Sequence, residues 1–266
     1  MNIQEVVDGL IKEDKTGNGI RCLKLFKVEN FDQIKEEVEQ IISEKPATII
    51  GDVSNKIGHY RDDDEILPYF PKVSNVVSGA WRTYRLTRNA PGWKEDEIYL
   101  DPSIDYSKVK FHYPIEFPNI AKYLSLFPKV IVSNLSGLLP FTQLVPHREA
   151  MARMFNGELI YPIRFHLPVI EDDRAYFWFN GKYYDFEPGY VYLFNPATVH
   201  SALNNSDKSR YNIIVDCFAS EALNPLFESS TPALCVGEET LPMIEGNYKT
   251  NEIDNIDYSF YNIKLW

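Results

Sequence analysis

The spacing of apolar positions changes partway along the chain. Between residues 31 and 43, Phe31, Ile34, Val38, Ile41 and Ile42 recur at intervals of three to four with charges between them, which predicts an amphipathic helix over Phe31 to Ser43. A second short helix is expected over Ile120 to Phe127. From about Lys129 the pattern becomes that of strands. VIVS, LIYPIRFHLPVI, RAYFWF, KYYDF, YVYLF and YNIIVDCF are short runs rich in β-branched and aromatic residues, divided by turn residues. Asn180-Gly181, between RAYFWF and KYYDF, suits the two left-handed positions of a type I′ hairpin turn. Glu187-Pro188-Gly189 predicts another turn before YVYLF. So many strands at this spacing imply a mainly β fold, a sandwich or barrel, with flanking helices supplied by the N-terminal half.

The sequence has no internal repeat, low-complexity tract or Gly/Ser linker, so residues 1–266 are expected to form a single domain. A mixed α/β part would span 1–120, a strand-built core 129–218 and a C-terminal extension 219–266. The acidic run Asp62-Asp63-Asp64-Glu65 reads as a solvated loop or helix start, because it lacks the alternating ligands and central glycine of a calcium loop.

Composition narrows the function. Hydrophobic residues make up 44% and charged residues 24%, the balance of a chain with a real core. Aromatics reach 14%, which favours strands. A net charge of −11 argues against a nucleic-acid partner, since phosphate binding needs a basic surface, but it leaves room for a local basic pocket. Three cysteines, Cys22, Cys217 and Cys235, are too few and too scattered for a disulfide framework or a zinc knuckle. No basic n-region with an apolar h-region opens the chain, and no apolar run approaches bilayer length, so a cytoplasmic enzyme without a membrane partner is expected.

The five histidines include two with metal-ligand context. His147 and Glu149 are two apart, so on an extended segment both side chains reach the same face. His200 follows YVYLFNPATV in a later strand-like segment. Two histidines and one carboxylate cover one face of an octahedron and leave three positions open, a geometry suited to Fe(II) oxygenases. Glu158 is the fallback carboxylate. Ten residues after His200, beyond a turn at Asn204 to Asp207, Arg210 opens the returning strand and can point into the same cavity. A keto acid chelating iron carries a second carboxylate at its far end, for which an arginine fork is the natural partner. Arg164 and His166, two apart in IRFHLPV, would add a second cation and a donor on one face. A charge in so apolar a strand needs a partner: an anionic ligand would serve, or Asp216, while His166 could instead hydrogen-bond within the core. Ser136 or Ser133 could add a hydroxyl to the keto acid. For Arg153 and for Arg82, Arg85 and Arg88, a charged sheet surface is the plainer reading than a hold on a substrate carboxylate.

The ordered set Pro146-His147-Arg148-Glu149, Arg164-x-His166, His200-Ser201-Ala202, Arg210 and Val215-Asp216 resembles the aspartyl/asparaginyl β-hydroxylase family, nearest to the L-proline cis-hydroxylases, over roughly residues 130–218. The resemblance implies a double-stranded β-helix, the cupin-like jelly roll. It implies Fe(II) held by His147, Glu149 and His200, with 2-oxoglutarate as cosubstrate clamped by Arg210 and supported by Arg164 and His166. The expected reaction is hydroxylation of an aliphatic C–H in a free amino acid or small peptide, giving succinate and carbon dioxide. The chain departs from the family in carrying Glu149 where the proline hydroxylases have Asp, and in a longer interval before Arg164, so that Ala150 to Leu159 would be a substrate-facing insertion. The alternatives from other classes are a cupin-like isomerase or hydrolase using Zn or Mn, and a catalytically silent jelly roll that binds a small acid.

Overall fold

The computed structural model describes residues 1–53, 56–61, 76–78, 80–88, 105–144, 146–149, 153–155, 158–238 and 262–264. Eight strands form its centre: β1 (Val130–Leu138), β2 (Thr142–Leu144), β3 (Pro162–Ile170), β4 (Ala175–Phe179), β5 (Lys182–Tyr184), β6 (Tyr190–Phe194), β7 (His200–Asn204) and β8 (Arg210–Phe218). One sheet runs β6-β3-β8-β1 and the other β5-β4-β7-β2. The chain thus crosses between the sheets at every step except the β4–β5 hairpin, and apart from that hairpin the strands pair antiparallel with partners distant in sequence. This interleaved order is that of a double-stranded β-helix, the fold that the family resemblance implied.

Residue alternation makes the two faces. On β3, Ile163, Phe165, Leu167 and Val169 turn outward, while Arg164 and His166 turn toward the other sheet. β8 repeats the rule: Tyr211, Ile213, Val215 and Cys217 lie outside, and Arg210, Asn212 and Asp216 inside. The outer face is covered by helices α1 (Ile3–Thr16), α2 (Phe31–Glu44) and α3 (Pro118–Leu124), whose Val6, Leu10, Ile34, Val38 and Ile120 join it in one apolar core. Each such side chain contributes about 1.5–3 kcal/mol on burial. Cys217 packs there as a small hydrophobe. Between the sheets, Leu138, Phe177, Phe179, Tyr192, Phe194 and Ala202 form a second, aromatic core. Trp178 and Leu203, one residue out of phase, pack on the far side of the smaller sheet.

The hairpin between β4 and β5 pairs Phe179 with Lys182, leaving Asn180 and Gly181 as the two-residue loop. Both have positive φ, 41° and 92°, as a type I′ turn requires, and Gly189 has φ 83° in the next turn. α2 forms as the periodicity predicts. α3 starts two residues earlier than expected, because Pro118 opens it and the buried Glu37 carboxylate accepts from the amides of Asn119 and Ile120.

α1 was not anticipated. Its signals are local: Asn2 and Glu5 form a reciprocal capping box, Ile3, Val6, Val7 and Leu10 make one buried stripe, and Gly17 ends the helix with φ 68°. Strands before Lys129 also join the core sheets. Cys22–Lys27 pairs with β6, and Ala80–Arg85 pairs with β1 and is followed by Thr48–Val53 and Lys56–Arg61, extending the larger sheet at both edges. Past the core, Thr231–Pro232 and Cys235–Glu238 add short edge strands, one to each sheet. The acidic run 62–65 lies outside the described residues, as do 150–152 and 156–157 of the expected insertion. Its two described pieces, Arg153–Phe155 and Glu158–Ile160, pair antiparallel. Among the described residues, no helix is long and apolar enough to cross a membrane.

Candidate metal centre

A single antiparallel bridge assembles the site. The amide of His147 donates to the carbonyl of His200 and the amide of His200 to the carbonyl of His147, both at 2.9 Å, so the two imidazoles stand side by side with centroids 4.3 Å apart. Glu149 is fixed two residues on by its backbone amide, which donates to Pro196 O at 2.8 Å. Its Oε1 then lies 3.8 Å from His147 Nε2 and 3.7 Å from His200 Nε2. Three ligand atoms, one from each residue, lie within 4.8 Å of one another. The side chain of Glu158 lies outside the described residues.

His200 carries the most definite electronic preparation. Its Nδ1 is 2.8 Å from Thr198 O, which can only accept, so Nδ1 bears the hydrogen and Nε2 presents its lone pair to the cluster. Burial, reinforced by the neighbouring His147, pushes its pKa down to about 4, so the ring is neutral at pH 7. Burial pushes the Glu149 carboxyl up, but Arg164 and the two imidazoles outweigh it and hold the group well below the usual range.

Arg164 is fully engaged. Its Nε and Nη2 donate to the two oxygens of Asp216 at 2.8 and 2.9 Å, and its Nη1 donates to Glu149 Oε1 at 2.6 Å. Register explains the pairing, since Arg164 and Asp216 are cross-strand partners in β3 and β8. Two carboxylates against one guanidinium leave one net negative charge among these three groups, which complements a divalent cation.

His166 stacks on Phe194 with centroids 4.5 Å apart and is buried, yet neither ring nitrogen has a hydrogen-bond partner among the described residues. Arg210 is also buried, its guanidinium 4.3 Å from the Phe177 ring centroid. Both therefore occupy the space between the sheets. Arg210 donates from Nη2 to Glu171 Oε1 at 3.0 Å and from Nη1 to Tyr176 O at 3.3 Å, while its Nε is buried without a partner among the described residues. Ser136 pairs in register with Asn212 and accepts from Trp81 Nε1 at 2.6 Å. Ser133 bonds Ile214 O and, one residue out of phase with Ser136, does not share its face. Arg85 and Arg88 are exposed, donating to Thr87 O and His112 Nδ1.

Two residues escaped the sequence reading. Arg148, between the ligands, points away from them, pairing with Asp14 of α1 and donating to Ala197 O. Glu171 follows the end of β3 and meets Arg210, a contact with no local spacing signal. Unpaired buried polar atoms at Arg210 and His166, and a two-histidine, one-carboxylate donor set, fit an Fe(II) ion with a chelating acid beside it.

No curated protein matches the chain in sequence. In structure it is similar to a 2OG-Fe(II) oxygenase family oxidoreductase from Burkholderia pseudomallei, at 8% identity and a TM-score of 0.44, over 79% of this chain and 89% of that one. It is also similar to a Pseudomonas putida prolyl-4-hydroxylase, at 12% identity and a TM-score of 0.36, over 80% and 97%. A cupin 2 conserved barrel domain protein from Salinispora arenicola aligns at 14% identity and a TM-score of 0.25, over 34% and 66%. The jelly roll stands on its strand order and does not depend on these likenesses. The sequence model for aspartyl/asparaginyl β-hydroxylase matches residues 28–220, which contain every residue of the site. The chain belongs to the aspartyl/asparaginyl β-hydroxylase family and is an oxygenase.

Proposed function

We propose that the protein is an Fe(II)- and 2-oxoglutarate-dependent dioxygenase that hydroxylates an aliphatic C–H of a free amino acid or of a residue in a small peptide. The observation that carries this is the convergence of His147, Glu149 and His200 on one point, with Arg210 and His166 opening on the same space between the sheets. Iron, with 2-oxoglutarate and dioxygen, supplies oxidative decarboxylation to succinate and carbon dioxide, and oxygen insertion into the substrate.

The chain's own residues do the positioning. His147, Glu149 and His200 would hold the metal, and three protein ligands would leave it able to bind cosubstrate and oxygen as well. Arg210 binds the distal carboxylate of 2-oxoglutarate, and Ser136, one strand over, contributes a hydroxyl. His166, without a hydrogen-bond partner among the described residues, would donate to the acid. Arg164 orients Glu149, with Asp216 fixing the guanidinium plane. The aromatic shell of Phe177, Phe179 and Phe194 would keep water from the site. The net charge of −11 supports a small-molecule or peptide substrate over nucleic acid.

The test is a screen of amino acids and short peptides with Fe(II) and 2-oxoglutarate, following succinate and any product that gains one oxygen atom. Coupled formation of both, abolished under anaerobic conditions, is expected. Turnover that persists without oxygen would overturn the assignment.

A further inference from the structure

Arg210 is not free in this structure. A guanidinium grips a carboxylate best along one edge, through two parallel N–H bonds. The Nε–Nη2 edge of Arg210 has an unpartnered Nε, but its Nη2 is already given to Glu171 Oε1 at 3.0 Å. The other edge is partly taken by Tyr176 O at Nη1, 3.3 Å. Glu171 Oε1 also accepts from Asn212 Nδ2 at 2.9 Å, so it is held from two residues of β8. An incoming carboxylate that takes the Nε–Nη2 edge must share Nη2 with Glu171, bringing two like charges together in a buried place.

We propose that Glu171 is a built-in competitor for the Arg210 seat, holding the guanidinium in the unliganded protein and taking up a proton from solvent as the distal carboxylate of 2-oxoglutarate arrives. Protonated, Glu171 no longer repels the newcomer and can donate its O–H to it; the proton comes from solvent, and no other covalent bond changes. The inference rests on the oxygenase reading and deepens it by coupling cosubstrate binding to pH.

The surroundings of Glu171 suit the exchange. Its side chain is buried, and burial pushes its carboxyl up to about 7, with Asp185, beyond β5, adding to the rise and Arg210 and Asn212 of β8 opposing it. Glu171 is therefore an anion paired with Arg210 above neutrality and is already neutral near pH 6. By linkage, 2-oxoglutarate affinity is at its plateau below pH 7 and falls as pH rises above it, by up to about tenfold per unit.

The experiment is anaerobic calorimetric titration of 2-oxoglutarate into the Fe(II)-loaded protein at pH 6 and pH 8, in pairs of buffers with different ionisation enthalpies. The wild type is expected to take up close to one proton at pH 8 and almost none at pH 6, with a Kd about tenfold weaker at pH 8. Glu171→Gln, which keeps the shape and the hydrogen bonds, should take up none and bind more tightly than wild type at pH 8. A pH-independent wild type without proton uptake, or weaker binding by Glu171→Gln at both pH values, would overturn the competitor role while leaving the oxygenase reading intact. Should Glu171→Gln fail to fold, as judged by circular dichroism, the wild-type proton count decides. A wild type that binds no 2-oxoglutarate would sink the oxygenase reading and this inference together.

Discussion

Arg164 donates to Glu149 Oε1 at 2.6 Å while both of its remaining donor nitrogens close on Asp216, so the carboxylate of the metal set is anchored through a strand pairing to a second carboxylate one strand away. Glu149 carries one methylene more than an aspartate would, and the guanidinium removes that extra freedom. The same engagement leaves Arg164 no unpaired nitrogen for the cosubstrate unless Asp216 or Glu149 lets go.

Arg164→Lys and Asp216→Asn are therefore expected to act first on the metal. Loss of such outer partners lowers metal affinity by about 10–100-fold. Anaerobic Fe(II) titration without 2-oxoglutarate reads this directly. If Arg164→Lys kept its Fe(II) affinity and only raised the 2-oxoglutarate requirement, Arg164 would serve the cosubstrate instead.

Single replacement of His147, Glu149 or His200 by alanine should abolish succinate formation. It should also remove the stabilisation by added metal. At a metal concentration about 100 times Kd the wild type gains about 2.7 kcal/mol, and thermal unfolding of the three variants should show almost none of it. Arg210→Ala should fold and keep the metal-induced shift, yet require far more 2-oxoglutarate for half-maximal turnover.

The metal-free protein should weaken in acid. His200 is held near pKa 4 against an ordinary 6.5, so below about pH 6.5 the unfolded chain binds a proton that the folded chain refuses. Its contribution is fully present above 6.5 and is lost as pH falls toward 4, about 3 kcal/mol in all. His166, pushed well below its usual range by burial and then by Arg164 and Arg210, acts in the same direction. Glu171, pushed up to about 7, gains a proton in the fold over the same range and works the other way. The loss is therefore read by urea unfolding at pH 7 and pH 5 in the Glu171→Gln background, where adding His166→Phe, which preserves stacking on Phe194, should lessen it. An equal loss in that variant would mean His166 is protonated in the fold.

Asp14 ties α1 to the turn that carries two ligands, through Arg148 and its bond to Ala197 O. Asn195 reinforces the tie by donating to Leu10 O and Ile20 O. Asp14→Asn is expected to lower Fe(II) affinity severalfold while shifting the unfolding midpoint by only a few degrees. A purely structural tie would move the midpoint and leave the metal untouched.

Much of the fold was legible because its signals are local. The period of two in LIYPIRFHLPVI and YNIIVDCF gives strands with one apolar face, and Asn180-Gly181 can close only a tight hairpin. The 3.6 period gives α2. α1 is equally local, carried by the Asn2–Glu5 capping box and the stripe Ile3, Val6, Val7, Leu10. The strands at 22–27 and 80–85 were not legible, since they pair with β6 and β1, which lie far along the chain.

For the site, sequence supplied the residue types and their order: a His and a Glu two apart, a later His, an Arg ten residues beyond it, and an Arg and His two apart on an apolar strand. Those facts follow from covalent spacing and strand alternation. Which charge meets which was decided only by tertiary structure. The His147–His200 bridge, the choice of Asp216 and Glu149 as partners for Arg164, and the meeting of Glu171 with Arg210 depend on strand register across the two sheets. Register is fixed by how whole faces pack against the helices and against each other, and a one-residue slip would carry every one of these groups to the opposite face.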